Sequence, residues 1–211
     1  MSDRDLLTLM QWLSPAFPVG GYAYSHGLEA AIVAGDVRSG AEVEGWLRDI
    51  LRFGSGHLDA CLLAQALHPA ADHAALADLA RALAASAERA EETEAQGGAF
   101  TRATNALLEA DHPPAPLQVA VGRAAAGLAL APERVVAMYL HAFFSNLIQG
   151  AVRFVPLGQT EGQRILQALH GDIETVAAAA VAAPQDLHSS AFGADMAAMR
   201  HEDLEVRIFK T

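Results

Sequence analysis

The chain has 211 residues, 52% of them hydrophobic, and its 25 acidic residues against 14 basic ones give a formal charge of -11. A chain of this length can bury a core as one domain, and its acidity argues against nucleic-acid binding, which requires a clustered Lys/Arg face. A single Cys excludes an internal disulfide and a Cys-rich zinc cage, so we expect a reducing compartment, the cytoplasm.

Hydrophobic periodicity predicts helices along most of the chain. Apolar residues at helical spacing predict a first helix over residues 6–13, which Pro15 ends because proline disfavours helical geometry in the residue before it. Residues 39–51 begin with a capping box, Ser39 and Glu42, and continue with a regular apolar stripe. Further helices are predicted over residues 25–34, 57–67, 74–85, 88–110, 117–128, 133–155 and 161–182.

The predicted helix over residues 133–155 is apolar around most of its circumference, which is typical of a helix in the middle of a bundle. His141, Asn146, Gln149 and Arg153 interrupt it, and a lipid-facing helix would carry these side chains at a large cost. We therefore expect no membrane association. The expected fold class is all-α, a single-domain helical bundle of about seven to nine helices.

This helical domain is assigned to residues 1–190, and the periodicity then weakens into an extended C-terminal tail over residues 191–211. The last apolar residues of the tail, Val206, Ile208 and Phe209, lie beside charged ones. Such a segment is typical either of a frayed chain end or of a strip that orders on a partner. The residues alone leave both interpretations open.

Common catalytic and cofactor-binding motifs are absent from the sequence. The only Lys, Lys210, lies beside the C-terminus and cannot serve a phosphate loop or a buried Schiff base. His57 and Cys61 are four residues apart on a predicted helix and could offer two metal ligands, but a site requires three or four that converge. We therefore expect neither a metal site nor a cofactor.

Two segments are dense in residues that an ordinary loop does not need. Residues 14–29 hold two prolines, three glycines and two tyrosines beside Ser25 and His26, which suits an interface, a pocket or an ordered turn. Residues 153–163 place Arg153 and two glutamines around a Pro/Gly turn, although a cation there also favours the helix C-terminus. A hydrolase using Ser25 and His26 is a weak alternative, because adjacent side chains point in different directions.

Three blocks together resemble the urease accessory protein UreF family. They are Pro-x-Gly-Gly-Tyr-x-Tyr-Ser-His-Gly-Leu-Glu ending at Glu29, Arg-Phe-Val-Pro-Leu-Gly-Gln-Thr-Glu-Gly-Gln ending at Gln163, and Ala-Asp-Met-Ala-Ala-Met-Arg-His-Glu ending at Glu202. A weaker match, Glu-Glu-Thr-Glu-Ala-Gln-Gly, spans residues 91–97. The blocks follow the family's order along the chain.

The resemblance implies a non-catalytic helical protein that forms a homodimer and joins UreD and the GTPase UreG in a cytoplasmic complex, which inserts nickel into apo-urease. Nickel and GTP would be handled by the partners, and the C-terminal tail would dock on UreD. The alternative is a helical scaffold unrelated to urease. The partner-binding residues implied by the matched blocks are Tyr22, Tyr24, Ser25, His26, Glu29, Arg153, Gln159, Gln163, Arg200, His201, Glu202, Arg207 and Phe209.

The tail departs from the family pattern at one position. Family tails commonly continue after the His-Glu pair with Thr-Gln-Tyr, whereas this chain has Asp-Leu-Glu and therefore carries Glu205 in place of the aromatic residue. Arg207 and Phe209 keep their places. If the aromatic residue contributes to docking in other members of the family, Leu204 or Val206 would have to make the corresponding contact in this chain.

Overall fold

The computed structural model describes residues 3–210, with the exception of the side chain of Tyr22. Within this range the secondary structure is helical, with one 3-10 turn over Gly21–Ala23 and no β-strand, which confirms the predicted all-α class. The helices are α1 (Asp3–Trp12), α2 (Leu28–Ala34), α3 (Gly40–Phe53), α4 (Ser55–Ala66), α5 (His73–Ala82), α6 (Ala87–Leu108), α7 (Leu117–Ala125), α8 (Pro132–Phe154), α9 (Gln159–Ala168), α10 (His170–Ala182) and α11 (Phe192–His201).

The described chain has more helices than the seven to nine expected, because one predicted helix is divided and another was missed. The helix predicted over residues 161–182 breaks at Leu169, whose N–H donates to the carbonyls of both Ile165 and Leu166 at 3.2 and 3.1 Å. Residues 192–201, assigned to the tail, form α11. Apolar side chains lie on both its buried and its exposed face, so no single stripe marks this helix in the sequence.

Helix α8 lies in the centre of the fold and packs against α4, α9 and α10. Val136, Leu140, Phe144 and Ile148 recur every fourth residue along it, and all four side chains are completely buried. Burial of side chains of this size contributes about 1.5–3 kcal/mol each. The prediction of a central helix is therefore confirmed.

By length and composition, α8 could also cross a membrane. Within the fold, 50% of its most apolar window is buried against other helices, and the core helix of a soluble bundle has the same length and composition. We therefore assign α8 to the protein core.

Helices α6 and α7 approach each other closely at Gly97. A Cβ atom at this position would lie 2.0 Å from the carbonyl oxygen of Ala115, just before α7, and 2.6 Å from the nitrogen of Leu117, the first residue of α7. No side chain can be accepted there without movement of the backbone. At the neighbouring Gly98 the nearest atom belongs to the flexible end of Arg102, at 3.6 Å. Only the first glycine is needed for packing.

Candidate functional site

The loop between α1 and α2 carries the first matched block and has an unusual backbone. His26 has a φ of +53° and Gly27 a φ of +74°, and left-handed geometry costs a residue with a side chain about 1–2 kcal/mol. A Cβ atom at Gly27 would also lie 2.5 Å from the backbone nitrogen of Ala198 in α11. Gly27 is thus required both by its own φ and by the close approach of α11.

The side chain of His26 is held by contacts on several sides. Its Nε2 lies 2.8 Å from Oε1 of Glu92 in α6, and the same oxygen accepts a hydrogen bond of 2.7 Å from Gln96 Nε2. The imidazole also meets the Phe143 ring edge to face, with 4.6 Å between ring centroids. These contacts offset the backbone strain at His26.

The polar contacts of Glu92 continue into the core through Arg89. The guanidinium of Arg89 lies 3.4 Å from Glu92 and 2.7 Å from Asp59, and the Tyr139 hydroxyl donates to the same Asp59 carboxylate at 2.8 Å. Burial and the neighbouring Asp59 charge raise the pKa of Tyr139 well above its ordinary value. Burial alone would lower the pKa of Arg89, but the charges of Asp59 and Glu92 outweigh it and the pKa is raised.

The end of α11 is anchored by His201, whose side chain is completely buried between two carboxylates. Its Nε2 lies 3.0 Å from Glu29 and its Nδ1 lies 2.7 Å from Glu88. Since carboxylate oxygens only accept hydrogen bonds, this geometry fits an imidazole that donates from both nitrogens. Arg207 also donates to Glu88, at 2.5 Å, so one carboxylate holds two parts of the tail.

Glu29 in α2 binds the tail with both of its carboxylate oxygens. Oε1 accepts from the backbone N–H of Ile208 and Oε2 from that of Phe209, each at 3.0 Å, in addition to the contact with His201. Burial alone would raise the pKa of Glu29, but the hydrogen bonds from His201, Phe209 and Ile208 outweigh it and the pKa is lowered. The side chain is therefore ionised at neutral pH.

The last described residues reach both the first loop and the end of α8. The Phe209 ring lies 5.1 Å, centroid to centroid, from that of Phe154, and its Cζ would be 3.3 Å from a Cβ atom at Gly150. The N–H of Lys210 donates to the Ala23 carbonyl at 2.7 Å. The tail is thus neither frayed nor extended within the described residues, and it contacts two of the other matched blocks.

The residues expected to bind partners fall into two groups by exposure. Buried ones are Tyr24, Ser25, His26, Glu29, His201 and Phe209. Exposed ones are Arg153, Gln159, Gln163, Arg200, Glu202 and Arg207. The side chain of Tyr22 lies outside the described residues. While the tail remains in place, the buried group can position it but cannot itself touch a partner.

The structure brings only some of the expected residues together. Glu29, His201, Arg207 and Phe209 meet in the tail contact just described. Gln159 and Gln163 lie on α9 and take no part in it.

Tyr24, another of the expected residues, has a buried side chain beside two acidic residues. Burial raises the pKa of the Tyr24 hydroxyl, with the charges of Glu92 and Glu91 adding to the effect.

Sequence reasoning missed Glu88 and Arg89, which link the tail to the core. The signal was present as a polar stripe, because Glu88, Glu92 and Gln96 are four residues apart and share one face of α6. Such a stripe on a largely buried helix indicates internal polar contacts. Its partners, however, lie far away in the chain.

A strip of apolar side chains stays exposed on the outside of the tail. In α11, Phe192, Met196 and Met199 recur at helical spacing on the exposed face, and Phe192 is 77% exposed. Beyond the helix, Val206 is 79% and Ile208 69% exposed. We name these five residues the C-terminal apolar strip.

Comparison with known proteins identifies the family of this chain. The UreF family profile matches residues 37–170. The protein named Urease accessory protein UreF of Cereibacter sphaeroides strain KD131 is 59% identical over 207 residues, which cover 98% of each chain. The chain belongs to the UreF family.

Other relatives named Urease accessory protein UreF extend the same similarity. That of Jannaschia sp. strain CCS1 is 53% identical over 98% of this chain and 94% of its own length. That of Paracoccus denitrificans strain Pd 1222 is 48% identical over 97% of this chain and 95% of its own length. The UreF similarity therefore includes the first loop and most of the tail as well as the central helices.

Proposed function

We propose that this UreF-family chain is a urease accessory protein that joins UreD and the GTPase UreG in the complex that inserts nickel into apo-urease. The observation that carries the proposal is the similarity, over nearly the whole chain, to proteins named Urease accessory protein UreF. The protein acts in the cytoplasm as an adaptor and regulator of the partner GTPase. It hydrolyses nothing itself, and nickel and GTP are handled by its partners.

The C-terminal apolar strip supports a docking role for the tail. An exposed apolar strip on an ordered helix is suited to burial against another protein, and large side chains such as Phe192 and Met199 can act as anchors. Arg200 and Glu202 are exposed beside it and suit a polar rim. Because Glu29 and Glu88 already order the tail, its docking on UreD costs less conformational entropy than the docking of a disordered chain end would.

The contacts of Ser25 and His26 favour positioning over hydrolysis. Ser25 Oγ accepts a hydrogen bond of 3.3 Å from the N–H of Glu29, and His26 Nε2 faces Glu92. Both side chains are buried. A substrate would have to displace α11 to reach them, which supports the adaptor over the hydrolase.

A surface substitution tests the docking role more sharply than a truncation, since deletion of the tail would also expose Glu29 and Gly27. We expect Met199→Asp to raise the Kd for purified UreD at least about 30-fold, because loss of a hot-spot contact costs about 2 kcal/mol or more. Leu107→Asp is the matched control. It lies on an exposed face of α6, about 28 Å along the helix from Glu88.

The measurement is surface plasmon resonance of each full-length variant against UreD, with circular dichroism to verify the helical fold. Equal affinities of the Met199→Asp variant and the unsubstituted chain would exclude the strip as the UreD contact. Light scattering on the free chain tests the proposed homodimer separately, since a monomer at micromolar concentration would contradict it.

A further inference from the structure

Two methionines lie between Phe192 and Val206 in the C-terminal apolar strip. Met196 and Met199 are about one turn apart on α11, and their side chains are 45% and 47% exposed. We propose that they form a modification site, at which hydrogen peroxide oxidises the two thioethers to sulfoxides and so weakens the docking of the strip on UreD. The inference rests on the proposed function, because it concerns the surface that is expected to bind UreD.

The single cysteine of the chain does not compete for the peroxide. Cys61 is completely buried, and burial, with the charge of Asp186 adding to the effect, raises the pKa of its thiol to about 11. A peroxide reacts with a thiolate rather than with a thiol, so Cys61 is inert at neutral pH. A thioether has no proton to lose, so the exposure of each methionine decides whether it reacts.

The other methionines of the chain differ in exposure and in place. Met1 lies outside the described residues, and Met138 is partly buried against the core. Met10 is 53% exposed, on α1. Since Met10 is as accessible as the two methionines of the strip but lies outside it, its oxidation provides an internal control.

The reaction is a two-electron oxidation of sulfur. A lone pair of the thioether attacks one oxygen of hydrogen peroxide, the O–O bond breaks, and this oxygen stays on the sulfur as the sulfoxide. The other oxygen leaves with both hydrogens as water, so the peroxide is reduced. A methionine sulfoxide reductase reverses the change, since two of its thiols become a disulfide and the sulfoxide oxygen leaves as water.

Oxidation should change the surface of α11 without detaching the helix. A sulfoxide oxygen is a polar acceptor, and its burial against an apolar partner surface without a donor is unfavourable. The anchors of the helix lie on its buried side, where His201 contacts Glu29 and Glu88. Because neither methionine takes part in these contacts, the oxidised chain should keep its fold and lose affinity for UreD.

The test is surface plasmon resonance against UreD with the full-length chain, before and after treatment with hydrogen peroxide that catalase removes before UreD is added. Peptide mass spectrometry establishes that Met196 and Met199 are both oxidised. We expect the Kd to rise at least about tenfold, because two buried polar groups without partners cost more than the free energy of a tenfold change. Treatment with the two methionine sulfoxide reductases, one for each sulfoxide epimer, should restore the original Kd.

The controls are two variants, each compared with its own untreated sample. The double variant Met196→Leu, Met199→Leu lacks both thioethers of the strip but keeps Met10, so peroxide should leave its Kd unchanged. Met10→Leu keeps both, and its Kd should rise on oxidation as that of the unsubstituted chain does. Circular dichroism should show the same helical fold in every sample.

Two results overturn the inference while the proposed function stands. They are an unchanged Kd for the oxidised chain, and a loss of affinity in the oxidised double variant equal to that of the unsubstituted chain. If the untreated chain does not bind UreD at all, the docking role itself fails and this inference fails with it.

Discussion

The carboxylate of Glu29 should control whether the tail stays on the domain. Glu29→Gln keeps the size of the side chain but removes the charge opposite His201 and turns an amide NH₂ toward a backbone N–H. A hydrogen bond to a charged group contributes about 1.5–3 kcal/mol, and a buried donor left unpaired costs about 1–3 kcal/mol. The amide oxygen of Gln can still accept one of the hydrogen bonds. We therefore expect the free energy needed to detach residues 202–210 from the domain to fall by about 2–4 kcal/mol.

This change corresponds to an increase of about 30- to 700-fold in the open population. Hydrogen exchange followed by mass spectrometry measures it directly, because the amides of Ile208 and Phe209 are protected by their bonds to Glu29. Both amides should exchange faster in Glu29→Gln by that factor. The amides in the N-terminal half of α8 should be unaffected, since the tail packs on the C-terminal end of this helix, at Gly150 and Phe154.

Glu205→Gln is the matched control, because it makes the same chemical change on an exposed tail carboxylate that has no hydrogen-bond partner among residues 3–210. Its exchange should equal that of the unsubstituted chain. If the amides of Ile208 and Phe209 exchange at the original rate in Glu29→Gln, Glu29 does not hold the tail on the domain.

Other predictions use matched variants or pH. The folded protein lowers the pKa of Glu29, so the stability that Glu29 contributes is fully present above its ordinary pKa of 4.5 and is lost as the pH falls through the lowered pKa. The difference in Tm between the unsubstituted chain and Glu29→Gln should therefore disappear at acid pH, and a difference that stays constant with pH would contradict this. In urea unfolding, Gly97→Ala should lower the free energy of unfolding by about 1–3 kcal/mol, whereas Gly98→Ala should raise it by up to about 1 kcal/mol. Equal effects of the two substitutions would exclude a close approach of the helices at Gly97. Asp59→Asn should cost about 3–5 kcal/mol by breaking a buried ion pair, whereas Asp78→Asn on the surface should cost under about 1 kcal/mol; similar losses would contradict the buried network.

Most of the fold could be predicted because helix periodicity is a local signal. The apolar stripe of α3 and its cap are confirmed, since Ser39 Oγ accepts from the N–H of Glu42 at 3.4 Å. The break at Leu169 could not be predicted, because residues on both sides have helical spacing and only packing on the core bends the chain. Helix α11 was missed because it buries one face and exposes apolar residues on another.

Some residues of the candidate site were named from the sequence, but Glu88 and Arg89 were missed and none of the contacts could be predicted. Glu29 and His201 both came from matched blocks, yet they are 172 positions apart and no local pattern indicates that they touch. The same holds for His57, whose neighbours Asp186 and His188 reach it from the far end of the chain. Contacts of this kind follow from the packing of α4, α10 and α11, which only the folded structure shows.

The adaptor role is tested most directly by co-expressing the full chain with UreD and UreG, followed by size-exclusion chromatography with light scattering. We expect all three proteins to elute together, at a mass that gives the stoichiometry. Elution of this chain alone, while UreD and UreG are soluble and folded, would contradict it.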